Sequence, residues 1–173
     1  GEVAPHRRLT PTGVRFVLEG NGGYTTVNNE TCPMHKGDLI LTPALTWHEH
    51  GHEGSGPVVW LDALDLPMIY AMEASYAIEG PSQTLSDALD ASQNKYRRAG
   101  LLPYASLAQA LRPKYPQIRF PWADVRAALG ALATVTDKAD AVQLAYVNPE
   151  TGESCLPTLG FSAQQLRAGQ DLS

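Results

Sequence analysis

Three of the chain's five histidines, His48, His50 and His52, fall within five residues of one another, with Trp47 beside them. They sit in the stretch Gly37 to Asp62, where apolar runs at Asp38–Thr42 and Val58–Leu61 flank the histidines. In a strand, residues two apart point to the same face. His48 and His50, with His52 if the strand runs that far, therefore project together into whatever the sheet encloses. Imidazoles placed this way suit two chemistries: neutral rings ligate a metal, and protonated rings grip an anion such as a carboxylate. A solvated histidine-rich turn is the third possibility, because Gly51, Gly54, Ser55, Gly56 and Pro57 follow at once.

The elements that must position these residues are short. Val14–Glu19 is an apolar run closed by Gly20-Asn21-Gly22-Gly23, which is strong turn chemistry. Tyr24–Val27 alternates in the β manner and ends at Asn28-Asn29; Cys32–Met34, Leu39–Thr42 and Pro57–Leu64 follow as further strands. Short strands separated by turns at such intervals indicate an antiparallel sandwich or barrel. From about Met68 the texture changes. Leu85–Ala99 reads as a helix with Ser82 or Ser86 as caps and Gly100 as its stop, and residues 101–121, rich in proline, read as loop or extended chain. Pro121 opens a second helix, with Val125, Leu129, Leu132 and Val135 on one face as a packing stripe. Gln143–Val147 and Phe161–Leu166 read as strands again, and the chain stops at Ser173 with no closing element.

At 173 residues there is enough chain for one domain with a real core, or one domain and part of another. The net charge is −5 and the basic residues are scattered, which gives no nucleic-acid surface. No apolar run approaches the roughly 18 residues of a membrane span. Two distant cysteines, Cys32 and Cys155, make neither a disulfide framework nor a zinc spacing. The expectation is a pair of reduced thiols in a cytoplasmic protein.

The first half carries the spacing of the two cupin motifs. Gly1 and Gly20 stand at the ends of the first, and Gly37, Pro43 and His48 match the second, with Leu45 where a glycine is usual. The wider text GEVAP, VRFVLEGNGGYTTVN, CPMHKGDLILTP, TWHEHGHEG and WLDALDLP resembles the gentisate 1,2-dioxygenase family, which includes salicylate and 1-hydroxy-2-naphthoate dioxygenases. FPWADVRAALGAL, YVNPETG and LPTLGFSAQQLRAG resemble the linker and second cupin of the same bicupin proteins. The resemblance implies a mainly β fold. Residues 1–70 would form a cupin double-stranded β-helix jelly roll lacking its N-terminal part, 71–140 a helical and Pro-rich linker, and 141–173 the opening strands of a second, truncated cupin.

It also implies an activity: iron-dependent cleavage of an aromatic hydroxy acid by O2, gentisate giving maleylpyruvate, in a homotetramer. His48 would be the Fe(II) ligand, Arg15 would hold the substrate carboxylate, and His50 and Asp62 would orient the ring hydroxyl and the bound oxygen. A structural ion pair of Arg15 with Glu19 is the competing role for that arginine. Trp47 is expected as a barrel wall, and Asp65 and Glu49 as surface or turn charges. The first motif departs from the family. Its histidine pair falls at Arg7 and Leu9 and its glutamate at Gly13, none of which ligates iron. His6 lies one residue out of frame, which turns a strand residue to the opposite face unless a bulge re-aims it. The alternative is therefore a metal-free cupin that binds aromatic acids or serves as a structural module.

Overall fold

Between residues 13 and 64 each apolar or alternating run is closed by turn residues, and each becomes a strand. The computed structural model describes residues 3–10 as backbone, together with 12–80, 89–109, 111, 113–137 and 140–170. The elements run β1 (Val3–Thr10), β2 (Gly13–Glu19), β3 (Gly23–Val27), β4 (Glu30–Pro33), β5 (Leu39–Thr42), β6 (Trp47–His52) and β7 (Val59–Leu64). There follow α1 (Leu66–Ala71), β8 (Tyr76–Glu79), α2 (Ala91–Lys95), α3 (Tyr104–Leu107), β9 (Arg119–Phe120), α4 (Trp122–Ala133), β10 (Val142–Ala145) and β11 (Ser162–Gln165).

The strands form a five-stranded sheet, β4-β3-β6-β1-β8, a four-stranded sheet, β7-β2-β5-β9, and the hairpin β10-β11. Apart from the β3–β4 hairpin, successive strands up to β9 cross from one large sheet to the other, and the pairing is antiparallel throughout. That alternation is the jelly roll expected of a cupin. Strands β8 and β9, from the stretch after residue 70, pair with β1 and β5 and so extend both sheets.

Strand β5 shows how the core is divided. All four of its residues are buried. Ile40 joins Val17, Val27, Cys32 and Met34 between the two sheets, while Leu39 and Leu41 join Val14, Leu129, Val142 and Leu156 on the outer side. A strand covered on both faces loses its polar alternation, which explains the unbroken Leu39–Thr42 run. Cys32 and Cys155 are both free and buried, and burial pushes both thiols up, Cys155 to about 11.

After β7 the chain departs from the sequence expectation in four places. Residues 81–88, and with them the caps Ser82 and Ser86, lie outside the described residues. The expected helix is described only as the short α2, which ends at Lys95, well before Gly100. The Pro-rich 101–121 stretch carries a four-residue helix and the strand β9. In α4, Leu129 is buried and Val125 and Leu132 pack beside it, but Val135 is 80% exposed because the helix ends at Ala133. Asp65 sits at the bend before α1, as a turn residue would, but it is buried and not at the surface, and its Oδ2 accepts from the Thr158 hydroxyl at 2.6 Å.

Asp38 ties the later segments to the barrel. It is 2% exposed, and its carboxylate accepts from Arg119 Nε at 2.9 Å and from the Trp122 amide, the first of α4, at 2.8 Å. A carboxylate at a helix N-terminus satisfies an orphan donor and favours the dipole.

Candidate active site

Strand periodicity builds the site. On β2, Val14 and Phe16 pack outward with α4's neighbours, whereas Val17 faces the inter-sheet core. Arg15 shares the face of Val17 and is only 4% exposed. Its cross-strand partner on β7 is Asp62. In the other sheet, β3 pairs with β6 so that Thr25 faces His50 and Val27 faces His48. Directly opposed residues on neighbouring strands share a face. Two polar pairs, Arg15–Asp62 and Thr25–His50, thus meet between the sheets.

The guanidinium is the centre of the cluster. Arg15 Nε donates to Asp62 Oδ1 at 2.8 Å and Nη2 donates to Oδ2 at 2.7 Å, a fork-to-carboxylate pair. Arg15 Nη1 lies 2.5 Å from His50 Nδ1 and 3.3 Å from Thr25 Oγ1. The Trp60 ring sits 4.3 Å from the guanidinium carbon, in cation–π contact. His48 and His50 have ring centres 5.7 Å apart.

The two histidines present opposite chemistry. Arginine has donors only and keeps its charge, so the nitrogen of His50 that faces it, Nδ1, is the acceptor. The proton of a neutral His50 is then on Nε2. His48 Nδ1 lies 3.3 Å from the Thr46 carbonyl, which only accepts, so Nδ1 carries the proton and Nε2 keeps its lone pair. A lone pair set this way is what a metal ligand needs. In their neutral forms His50 thus carries its proton on Nε2 and His48 on Nδ1.

The structure thus brings Arg15, His50 and Asp62 into one cluster with His48 beside it. Strand β6 does run on to His52, but that ring lies 3.2 Å from the Asn21 carbonyl in a turn, away from the others. The Arg15 ion pair is with Asp62 and not with Glu19. Trp47 stands on the barrel wall in β6, but not on the face of the histidines. It is adjacent to His48 in sequence and so faces the other side of β6, where its ring fills the space a Cβ on Gly80 would need. Trp60 takes the inner position, two residues from Asp62 on β7. Sequence reasoning missed Trp60 and Thr25, although period-two counting from Asp62 and Val27 reaches both.

The side chains of His6, Arg7 and Leu9 lie outside the described residues. The backbone ladder is described: Val3 pairs with His50 and His6 with His48, with an irregularity between them. Three residues of β1 span what two span on β6, which is the extra residue of a bulge. His6 therefore holds the register position across from His48. As a metal centre the described donor set falls short: among the described residues no three His, Cys, Asp or Glu side chains converge. A cleft of about 460 Å³ lies elsewhere, along α4, β10 and residues 96–102.

Comparison with known proteins bears on this geometry. Residues 1–64 match the family described as Cupin domain. The chain is 51% identical over 172 residues to a gentisate 1,2-dioxygenase of Ralstonia sp, covering 99% of this chain and 48% of that one. It is 38% identical to a 5-aminosalicylate 1,2-dioxygenase of Comamonas sp, covering 96% of this chain and 45% of the relative. The fold superposes on the salicylate 1,2-dioxygenase of Pseudaminobacter salicylatoxidans with a TM-score of 0.84 at 28% identity, over 96% of this chain and 49% of that one. A second structure of that enzyme, an adduct with gentisate, matches with a TM-score of 0.83. The chain spans about half the length of the curated relatives it matches.

Proposed function

Because the chain belongs to the gentisate 1,2-dioxygenase family of cupin proteins, we propose that its inter-sheet cluster holds an aromatic hydroxy acid for ring cleavage by O2. Gentisate is the first candidate, with cleavage between the carboxyl-bearing and hydroxyl-bearing carbons and both oxygen atoms retained in maleylpyruvate. The observation that carries this reading is the buried Arg15, held between Asp62 and His50 beside the Trp60 ring. A guanidinium in a low-dielectric site attracts a carboxylate strongly. Its remaining Nη2 proton and its charge take the substrate carboxylate, and the His50 Nε2–H donates to a ring oxygen. Asp62, whose side chain is 38% exposed, accepts from the ring hydroxyl. Trp60 gives the ring a flat apolar neighbour. These contacts bind and orient, which is where fixed geometry lowers a barrier.

Iron(II) is the metal the resemblance implies, and its chemistry would be the activation of O2. His48 fits one ligand position, with Nε2 unprotonated. Arg7 and Leu9 at the first-motif pair do not fit the others, so the roles given to this chain's residues stop at binding and orientation. Those two residues favour a second reading, a metal-free cupin that binds the acid without turning it over. We read β10–β11 as the opening hairpin of a second cupin, and a cytoplasmic homotetramer as the setting, both on resemblance alone.

The test is oxygen uptake on gentisate after anaerobic Fe(II) loading, with iron content and gentisate binding measured alongside. Near-stoichiometric iron with uptake lost in His48→Ala supports the dioxygenase. Gentisate binding without iron or uptake supports the second reading. Neither binding nor uptake contradicts both.

A further inference from the structure

We propose that the cleft along α4, β10 and residues 96–102 is a second ligand site, and that it takes a monocarboxylate carried on a one- or two-ring aromatic body. The inference stands apart from the inter-sheet cluster and does not depend on the reading given to it. The cleft holds about 460 Å³, within the range of about 300–1,000 Å³ that small-molecule sites occupy. Its walls are largely apolar. Leu101 and Leu102 line it after α2, Phe120 from β9, Val125 from α4, Leu144 from β10 and Tyr146 just after it. The Phe120 and Tyr146 rings meet edge to face at 5.4 Å, a pairing to which a further flat ring adds favourably. Gly100 and Gly152 also line the cleft, and a Cβ on either would meet nothing within 4 Å, so the space is open to a guest.

Charge and hydrogen bonding select the head group. The chain carries a net charge of −5, yet the cleft is lined by two arginines, Arg97 and Arg98, and by a single carboxylate, Asp124. Asp124 already accepts from Gln93 Nε2 at 3.3 Å, and the other buried amide, Gln117, donates to the Arg119 carbonyl at 2.9 Å. Those donors are spent within the protein. The side chains of Arg97 and Arg98 are exposed and have no ion-pair or hydrogen-bond partner among the described residues, which leaves both forks to a carboxylate. Tyr146 supplies the second polar contact. It is 9% exposed, and its hydroxyl has no hydrogen-bond partner among the described residues, which is uncommon for a buried tyrosine. Burial raises its pKa, and Asp38 and Cys155 add to the rise, so the hydroxyl keeps its proton and can donate to an oxygen of the guest.

The probe is 2-naphthoate, with 2-naphthamide as its neutral counterpart. In methyl-resolved NMR spectra of the purified chain, 2-naphthoate should shift the Val125 and Leu144 methyls along one saturable curve. Replacing both arginines, Arg97→Gln with Arg98→Gln, should weaken that binding by about tenfold or more, the scale of hydrogen bonds to a charged group. The neutral amide should bind the wild-type chain as weakly as the acid binds the double variant. Ala128→Trp fills the cleft from an exposed position on α4 and should abolish the shifts. If the tryptophan variant does not fold, the arginine pair, on exposed chain outside the core, reads the same claim. Val17 and Val27 lie in the inter-sheet core, so their methyls report binding at that cluster separately. Shifts confined to Val17 and Val27 would place the probe there and overturn the inference. Unmoved Val125 and Leu144 methyls would overturn it as well. So would an amide that binds as tightly as the acid, or a curve that ignores the loss of both arginines.

Discussion

Arg15 is the residue whose neighbours decide most. It is 4% exposed and carries a permanent charge, so its fork partner Asp62 does more than decorate the strand. Removing one member of a buried ion pair leaves the other uncompensated. Asp62→Ala should therefore destabilise the chain by about 3 kcal/mol, the lower end of that range because Asp62 lies at an exposed edge. Urea unfolding checks it, and a change under about 0.5 kcal/mol, the scale of ordinary surface substitutions, would show that the pair is replaceable. At this scale the sequence was partly legible. His48, His50, Arg15 and Asp62 were all named from motif and resemblance, and three of them meet around one guanidinium. Thr25 and Trp60 were not named, because a threonine in an alternating strand and a tryptophan in an apolar run look like packing until the opposite strand is known. Trp47 stands on the barrel wall as expected but faces away from the cluster, because neighbours in a strand face apart.

At the scale of elements, the turns were the clearest signal and one of them carries strain. Leu45 occupies the tight turn before β6 with φ of 66°, a left-handed conformation, at the position where a glycine is usual in this motif. The left-handed region costs an ordinary residue about 1–2 kcal/mol, and Leu45 is 49% exposed, so little burial offsets it. Leu45→Gly should raise stability by about 1 kcal/mol despite the added chain entropy. Thermal unfolding reads the sign, and a fall in melting temperature would contradict it.

The short helix α2 is held differently, through Asp90, whose Oδ2 pairs with Arg119 Nη1 while Oδ1 is buried without a hydrogen-bond partner among the described residues. Burial raises the Asp90 pKa, more than the pull of Arg119 lowers it; Asp38 adds to the rise and His35 opposes it. A folded-state value above the unfolded one means that the folded chain binds more protons. Asp90 then contributes most below the usual Asp range, and that contribution is lost as pH rises through the raised value. Asp90→Asn does not titrate there, so its stability relative to wild type should increase with pH across that window. A difference that stays flat with pH would contradict the assignment. None of this was visible in the sequence, because Asp38, Asp90 and Arg119 come together over separations that no local pattern encodes.

For the whole molecule, the jelly roll follows from short strands that alternate between two sheets, and most of those strands were legible from period two and turn residues. Less legible were β1, whose sequence VAPHRRLT carries no apolar alternation, β8, whose four residues are all exposed, and β9, two residues long in a Pro-rich stretch. No helix among the described residues is long and apolar enough to cross a membrane. The molecule thus presents a cupin barrel with a charged cluster between its sheets, in a chain half the length of its relatives.

The central claim is that this cluster holds an aromatic hydroxy acid through Arg15. The most direct measurement is calorimetric titration of gentisate into the purified chain and into its Arg15→Lys variant. A lysine keeps the charge but loses the planar fork and the stacking on Trp60. The account predicts saturable one-to-one binding that weakens by about tenfold or more in the variant, a loss of about 1.4 kcal/mol. Binding that is absent from the wild-type chain, or that the substitution leaves unchanged, would contradict it.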